Sequence, residues 1–186
     1  WMTKCYDVLH EGLVLPPIPD FMNHYINVRD AAQGTATLYR ADNTPVPRSE
    51  AQDRWNYLSS GYRGGCWTWL DAFFLQGSQG LLLRTNHRLV KKNGKEETIF
   101  TESPLEQYMM NDGCVDLSFN RQGLPTTRST RKGYQRGTNI WYICPLPDGA
   151  TWFGADSDGS LLLCNWNPLV SGSALGVFAC AESVPQ

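Results

Sequence analysis

The chain has 186 residues, of which 41% are hydrophobic and 18% charged, and its formal net charge is −2. This composition excludes a disordered chain, and the small net charge argues against a protein that binds polyanions through its whole surface. No apolar run approaches the roughly 20 residues of a membrane helix, and the first residues lack the pattern of a secretion signal. We therefore expect one soluble domain over residues 1–186, without a membrane span.

In chain order, the first predicted element is an extended segment over residues 1–22, because the prolines of "LVLPPIPDF" (13–21) favour polyproline II. "QGSQG" (76–80) predicts a hairpin, "KKNGK" (91–95) predicts an Asn-Gly turn, and "PDG" and "DSDG" mark turns in the last third. Period-two alternation predicts eight strands, at 34–41, 66–76, 80–86, 97–101, 114–120, 138–144, 160–166 and 174–181.

One helix start has a strong local signal. In "ESPLEQYMMNDG" (102–113), Ser103 is a suitable N-cap, Pro104 fits the first helical position and Glu106 completes a capping box. We therefore assign Ser103 and Glu106 a structural role, and we expect Ser49 to begin one or two further turns. The resulting prediction is a mainly β, loop-rich single domain with a few short helices.

The cysteines fit a structural role better than a metal site. None forms a Cys-x-x-Cys pair or a cysteine–histidine pair at zinc-ligand spacing. Their even number fits a disulfide framework of unknown pairing, and six buried thiols are the open alternative. They are Cys5, Cys66, Cys114, Cys144, Cys164 and Cys180.

Cys66, in "GYRGGCWTWLDAFFLQ" (61–76), has two interpretations. It would be a nucleophile if His87 met it across the hairpin, as in deamidase toxins that carry Cys and His on neighbouring strands. Otherwise it begins a core strand, and this is the interpretation that we predict. In that strand one face carries Trp67, Trp69 and Phe73, and the other carries Cys66, Thr68, Leu70 and Ala72.

Two further motifs are weak. "TLYRAD" (37–42) resembles the strand on which ADP-ribosylating toxins carry an NAD-binding arginine, which nominates Arg40, with "FTES" (100–103) and Glu182 as later elements. The chain lacks the Ser-Thr-Ser strand and the Glu-x-Glu pair of those enzymes. "ADSDGS" (155–160) resembles part of a calcium loop but lacks the other carboxylates. We expect neither site, and no cofactor.

A basic stretch separates Asp116 from Asp148, with no acidic residue between them. Solvated loops are one explanation, and a contact surface is the other. Aromatic neighbours would suit nucleic acid or an anionic glycan, but no nucleic-acid-binding module is recognisable, so nucleic acid is not an expected partner. The candidate surface-contact residues are Arg121, Arg128, Arg131, Lys132 and Arg136.

Several short segments follow one another in a distinctive order and spacing. They are "TKCYDVLHEGLVLPP" (3–17), "NTPVPRSEAQDRWNYLSSGYRGGC" (43–66), "LDAFFL" (70–75), "KKNG" (91–94) and "SPLEQYMMNDGCVDLSFNR" (103–121). Together they resemble the read-through extension of the minor coat protein of Qβ-like single-stranded RNA bacteriophages. The resemblance covers the family-like region 23–121 and most of the segment before it, whereas residues 122–186 form a C-terminal β region that does not align.

The resemblance implies a domain made by read-through of the leaky stop codon of the coat gene. Copies would be displayed on the virion surface, each covalently joined to a coat subunit through a linker. Domains of this family are distorted antiparallel β-barrels that are needed for infectivity and have no known catalysis. We therefore expect a non-enzymatic virion protein made in the bacterial cytoplasm, with the host-cell surface as a further partner and no small-molecule substrate.

Two other function classes stay open. One is a secreted toxin-like enzyme, either a Cys66/His87 deamidase or an Arg40 ADP-ribosyltransferase. The other is a carbohydrate-binding module, because the chain has seven tryptophans. For that module we expect an exposed tryptophan such as Trp152 to hold the sugar.

Overall fold

The computed structural model describes residues 2–61, 65–169 and 180–181. The helices in these residues are α1 (Met2–His10), α2 (Ile18–Gln33) and α3 (Arg48–Ser59). The strands are β1 (Leu13–Val14), β2 (Cys66–Gly77), β3 (Gly80–Lys92), β4 (Lys95–Pro104), β5 (Gly113–Asp116), β6 (Asn139–Ile143), β7 (Ala150–Asp156), β8 (Gly159–Trp166) and β9 (Cys180–Ala181).

Seven strands form one open sheet in the order β4-β3-β2-β7-β8-β6-β5. Neighbouring strands are antiparallel except β6 and β8, which are parallel. β1 and β9 form a separate antiparallel pair. The prediction of a mainly β fold is confirmed. The sheet has β4 and β5 at its edges and is not closed into the barrel that the resemblance implied.

Strand β2 divides the core into two faces. Cys66, Leu70, Ala72 and Phe74 pack in one cluster with residues of α2 and α3, and we call this side the α2 face. Trp67, Trp69 and Phe73 pack in a second cluster with Cys5, Val8 and Leu9 of α1, and this side is the α1 face. The predicted alternation along β2 is therefore confirmed, since successive side chains of a strand point to opposite faces.

Both predicted hairpin turns are present. Gly77 pairs with Gly80 across a two-residue turn between β2 and β3. Lys92 pairs with Lys95 across the second turn, in which Asn93 and Gly94 have φ of 52° and 76°. Positive φ at both central residues is typical of a type I′ turn, which Asn-Gly adopts most readily.

The prediction of an extended segment over residues 1–22 is wrong for most of its length. α1 and α2 occupy much of it, and α2 begins at Ile18 with Pro17 at its N-cap and Pro19 in its first turn. Prolines are tolerated there because the first N–H groups of a helix have no partner within it. The buried face of α2 has a helical period, at Ile18, Phe21, Met22, Tyr25, Val28, Ala31 and Ala32.

The predicted helix after Ser103 is also wrong. Ser103 and Pro104 end β4 and pair with Leu83 and Leu82 of β3. Pro104 is tolerated because β4 is an edge strand, where a missing N–H costs no ladder hydrogen bond. The Gln122 side chain donates to the Ser103 hydroxyl at 3.2 Å and accepts from the Glu106 N–H at 2.9 Å. Long-range pairing thus replaces the capping box, and Glu106 pairs with Arg121 instead.

Other boundaries differ as well. The predicted strand 34–41 is reduced to one bridge between Tyr39 and Pro45, and the strand predicted at 114–120 ends at Asp116. α3 is a 12-residue helix where one or two turns were expected, and β7 was not predicted. The strand predicted at 174–181 lies mostly outside the described residues, and only 180–181 are seen as β9.

Candidate functional site

Cys66, the candidate nucleophile, is a core residue. Its side chain has 0% exposure and lies on the α2 face, and its backbone pairs with Ala155 of β7. Burial raises the pKa of the Cys66 thiol to about 12. A catalytic cysteine needs the opposite, a lowered pKa that gives a thiolate at neutral pH.

His87, the candidate base, has a carboxylate partner on the adjacent strand. Its Nδ1 lies 2.5 Å from Oδ1 of Asp71, and its backbone N–H donates to Oδ2 of the same carboxylate at 2.9 Å. Asp71 falls between Trp69 and Phe73 in the alternation of β2, so its side chain points to the α1 face. Burial raises the pKa of the Cys5 thiol to about 12, and the negative charge of Asp71 is the second cause of this shift. The structure therefore pairs His87 with Asp71 on one face and leaves Cys66 on the other.

Irregularities in both strands frame the Asp71–His87 pair. The register of β2 against β7 shifts between Trp69 and Phe73, and that of β3 against β4 shifts between Thr85 and Arg88. The Asp71 N–H donates to the Pro16 carbonyl at 2.9 Å, and the Thr85 hydroxyl donates to the Asp71 carbonyl at 2.6 Å. Bulges of this kind redirect side chains and occur often near functional sites.

An imidazole held by a carboxylate has two common roles. Hydrolases use the arrangement to orient a general base, and protein cores use it to satisfy a buried histidine. Asp71 is 1% exposed and His87 is 6% exposed. Because both side chains are almost fully buried, the geometry favours the second role, a polar link between β2 and β3.

A cleft of about 290 Å³ opens beside the first turn of α2. Asp71 contributes to its wall, but His87 does not line it. A second cleft of about 360 Å³ shares Pro19 and Arg121 with the first. The residues that line the 290 Å³ cleft are Pro17, Ile18, Pro19, Asp20, Asp71, Ala72, Leu83, Thr85, Asn86, Thr101, Ser103, Arg121 and Gln122. His87, the candidate base, is thus absent from the wall of the 290 Å³ cleft.

The residues nominated for NAD binding have partners of their own. Arg40 pairs with Glu50 and donates to the Pro45 carbonyl at 3.3 Å. Glu102 pairs with Arg84 across β3 and β4 at 3.0 Å. Glu182 lies outside the described residues. Arg40 and Glu102 are therefore parts of two separate surface ion pairs.

Most of the basic candidates hold the loop between β5 and β6 in place. Arg136 donates to Ser59 Oγ at 2.8 Å and to Asn56 Oδ1 at 2.7 Å, which joins this loop to α3. Arg128 donates to the Asp112 carbonyl at 2.7 Å, and Arg131 donates to Gln135 Oε1 at 2.9 Å. The side chain of Arg121 is 90% exposed although it pairs with Glu106, and Lys132 is exposed.

Two other expectations are resolved by the fold. Trp152 is 6% exposed and packs against Trp67 and Trp166, with ring centroids at 4.9 and 5.6 Å. The expectation that Trp152 is an exposed sugar platform is therefore wrong. In "ADSDGS", Asp156 Oδ1 accepts from the Asp158 N–H at 2.8 Å, as in an ordinary turn between β7 and β8.

Among the described cysteine side chains, Cys5, Cys66, Cys114, Cys144 and Cys164 carry free thiols. Cys180 is described by its backbone alone, so the disulfide framework stays a prediction. Within the described ranges, no group of three or more His, Cys, Asp or Glu side chains could hold a metal ion. No helix in the same residues is long and apolar enough to cross a membrane.

Comparison with known protein families, curated proteins and solved structures finds no match to this chain.

Sequence reasoning nominated His87 but missed its partner. Asp71 is the single charged residue within "CWTWLDAFFLQ", a strand that is otherwise apolar apart from Thr68 and Gln76. A carboxylate that is buried in such a strand must be paired, because an isolated buried charge is too costly. That signal, followed by a search for a basic group on the next strand, would have pointed to His87.

We expect Cys66 to resist alkylation in the native protein. With a maleimide at neutral pH, Cys66 should stay unmodified in the folded state and react fully in concentrated urea, because its thiol is buried and protonated. Peptide mapping after labelling measures this, and the half-buried Cys144 serves as the internal comparison. Fast labelling of native Cys66 would reinstate it as a candidate nucleophile.

Proposed function

We propose that the chain is a non-enzymatic surface domain of an RNA phage particle, displayed as a read-through extension of the coat protein. The ordered resemblance to the Qβ-like extension supports this role. The observation that carries the proposal is that Cys66 lies on the α2 face of the sheet, whereas His87 pairs with Asp71 on the other face. The enzyme alternatives need a reactive Cys66 or an available Arg40, and the first is buried while the second is paired with Glu50.

Such a domain acts through a stable exterior rather than through a reacting group. Its interior is well suited to stability, because two apolar clusters cover the two faces of one sheet. Long-range pairing also joins the β5–β6 loop to α3 through Arg136. The partners that follow from the proposal are the coat subunit, through a covalent linker, and the surface of the bacterial host.

The exposed cations Arg121 and Lys132 are the contact residues that the proposal favours. In a Qβ-like phage whose own extension is replaced by this chain, we expect Arg121→Ala with Lys132→Ala to reduce adsorption and plaque formation by about tenfold. Loss of two exposed charges slows electrostatically steered association on this scale. Adsorption rate and plaque count measure the effect.

Two controls make this result interpretable. Lys91→Ala with Lys95→Ala removes the same charge from the distant β3–β4 turn and should leave infectivity unchanged. Arg128 and Arg136 are left intact because they hold the loop in place, and their removal would confuse folding with contact. Full infectivity of the Arg121/Lys132 variant would exclude this surface. Full infectivity of a particle without the domain would exclude the proposed function.

A further inference from the structure

Cys144 directly follows β6, and Cys164 lies in β8, the strand that pairs with β6 in parallel. The register of these strands is Trp141 with Leu161, Tyr142 with Leu162 and Ile143 with Leu163. Cys144 follows Ile143 at the end of β6, and one further step of the same register corresponds to Cys164. Strands that are paired in parallel carry partners in register on the same side of the sheet.

The packing of neighbouring residues confirms the shared side. Tyr142 and Leu162 both lie in the α2-face cluster, and Ile143 and Leu163 both lie in the α1-face cluster. Cys164 is fully buried in the α2-face cluster, and Cys144 packs against it while partly exposed. The alternation therefore brings both sulfur atoms to the α2 face at adjacent positions.

The spacing of strands suits a covalent bond between these residues. Neighbouring strands lie about 4.8 Å apart, and disulfides join residues whose Cα atoms are roughly 4.4–6.8 Å apart. We infer that Cys144 and Cys164 are a redox pair that an oxidising environment joins into a disulfide across β6 and β8. This inference does not depend on the proposed function.

The bond forms by exchange with a small-molecule disulfide such as oxidised glutathione. The thiolate of Cys144, the more accessible of the two, attacks one glutathione sulfur and releases the other glutathione as a thiol. Cys164 then attacks the Cys144 sulfur of the mixed disulfide and releases the second glutathione. Two protein thiols are oxidised and one disulfide is reduced to two glutathione thiols, which take up the two protons.

The first step depends on pH because the attacking group is the Cys144 thiolate, and Asp112 lies beside this residue. Its carboxylate accepts from the Cys144 N–H at 2.9 Å. Burial, followed by a hydrogen bond with Asp112 and its negative charge, raises the pKa of the Cys144 thiol to about 11. The thiolate fraction, and with it the rate of exchange, should rise about tenfold for each unit of pH below that value.

The test treats reduced protein with oxidised glutathione at mildly alkaline pH. We expect the mass to fall by two hydrogen atoms and the urea midpoint of unfolding to rise by about 1 M, because the bond closes a loop of the unfolded chain. Trypsin cannot separate the two cysteines, since residues 137–186 contain no Lys or Arg. Cleavage at Asp148, Asp156 and Asp158, and after Trp166, releases a cross-linked peptide that excludes Cys180.

Matched variants identify the pair. Cys144→Ser, whose side chain is only partly buried, should lose the mass change and the shift of the midpoint, whereas Cys114→Ser should keep both. Cys164→Ala is the second loss variant, and its reduced form is checked for folding by its own urea transition. A cross-link between other cysteines, or a glutathione that stays on Cys144, would overturn the inference.

Discussion

Asp71→Ala is expected to lower the free energy of unfolding by about 2–4 kcal/mol, because it removes the buried acceptor of two hydrogen bonds. The Asp71 carboxylate receives hydrogen bonds from both the ring and the backbone N–H of His87. With the carboxylate gone, these groups stay buried without their acceptor, because His87 is only 6% exposed. Urea unfolding followed by tryptophan fluorescence measures the loss.

A matched control and a double variant separate this pair from a general effect of removing charge. Asp53→Ala removes an exposed carboxylate of α3 and should change stability by less than about 0.5 kcal/mol. His87→Ala added to Asp71→Ala should cost much less than the sum of the single losses, since the two act as a unit. If Asp71→Ala does not fold, Asp71→Asn keeps the shape and one acceptor. A loss below about 1 kcal/mol for Asp71→Ala would contradict the pairing.

The second large effect is expected at Gly154 in β7. A Cβ atom there would lie 2.2 Å from Cζ3 of Trp152 and 2.3 Å from Cζ3 of Trp67. Both indoles pack tightly in the α1-face cluster, so they have little room to move. Gly154→Ala should therefore cost about 2–3 kcal/mol of stability through overpacking.

Thermal or urea unfolding of Gly154→Ala measures this cost, and a second substitution tests its cause. In a Trp67→Leu background, one of the two indoles that contact the new Cβ is replaced by a smaller side chain. The added cost of Gly154→Ala should then fall by about half, in a double-mutant cycle of contacting residues. If Gly154→Ala costs the same stability in both backgrounds, the Trp67 side chain does not restrict position 154.

Most strands of the central sheet were predictable because their signal is local, but β7 was missed. The side chains of β2 alternate between the two faces, and Asn93–Gly94 carries the residues that a type I′ turn needs, whereas the turn at Ser78–Gln79 is marked by the flanking Gly77 and Gly80. The α2 helix was missed because the prolines before and within its first turn outweighed the helical period of its buried residues. The helix predicted after Ser103 was wrong because Ser103 and Pro104 pair with β3, and a local pattern does not show that pairing.

The candidate site was predictable only in part. The sequence nominated His87 as a base for Cys66, whereas the structure pairs it with Asp71, because the partner depends on which face of the sheet each side chain occupies. The proposed pair of Cys144 and Cys164 could not be predicted from the sequence. β7 separates β6 from β8 along the chain, although β6 and β8 are neighbours in the sheet. A local pattern carries no information on such a crossing.

The nucleotide sequence on the 5′ side of the Trp1 codon, in the RNA that encodes the chain, tests the proposed role most directly. The account predicts a coat-protein reading frame in the same register, ending in a leaky stop codon ahead of this domain. A frame that instead encodes a secretion signal or the first part of an enzyme, with no coat protein, would contradict it.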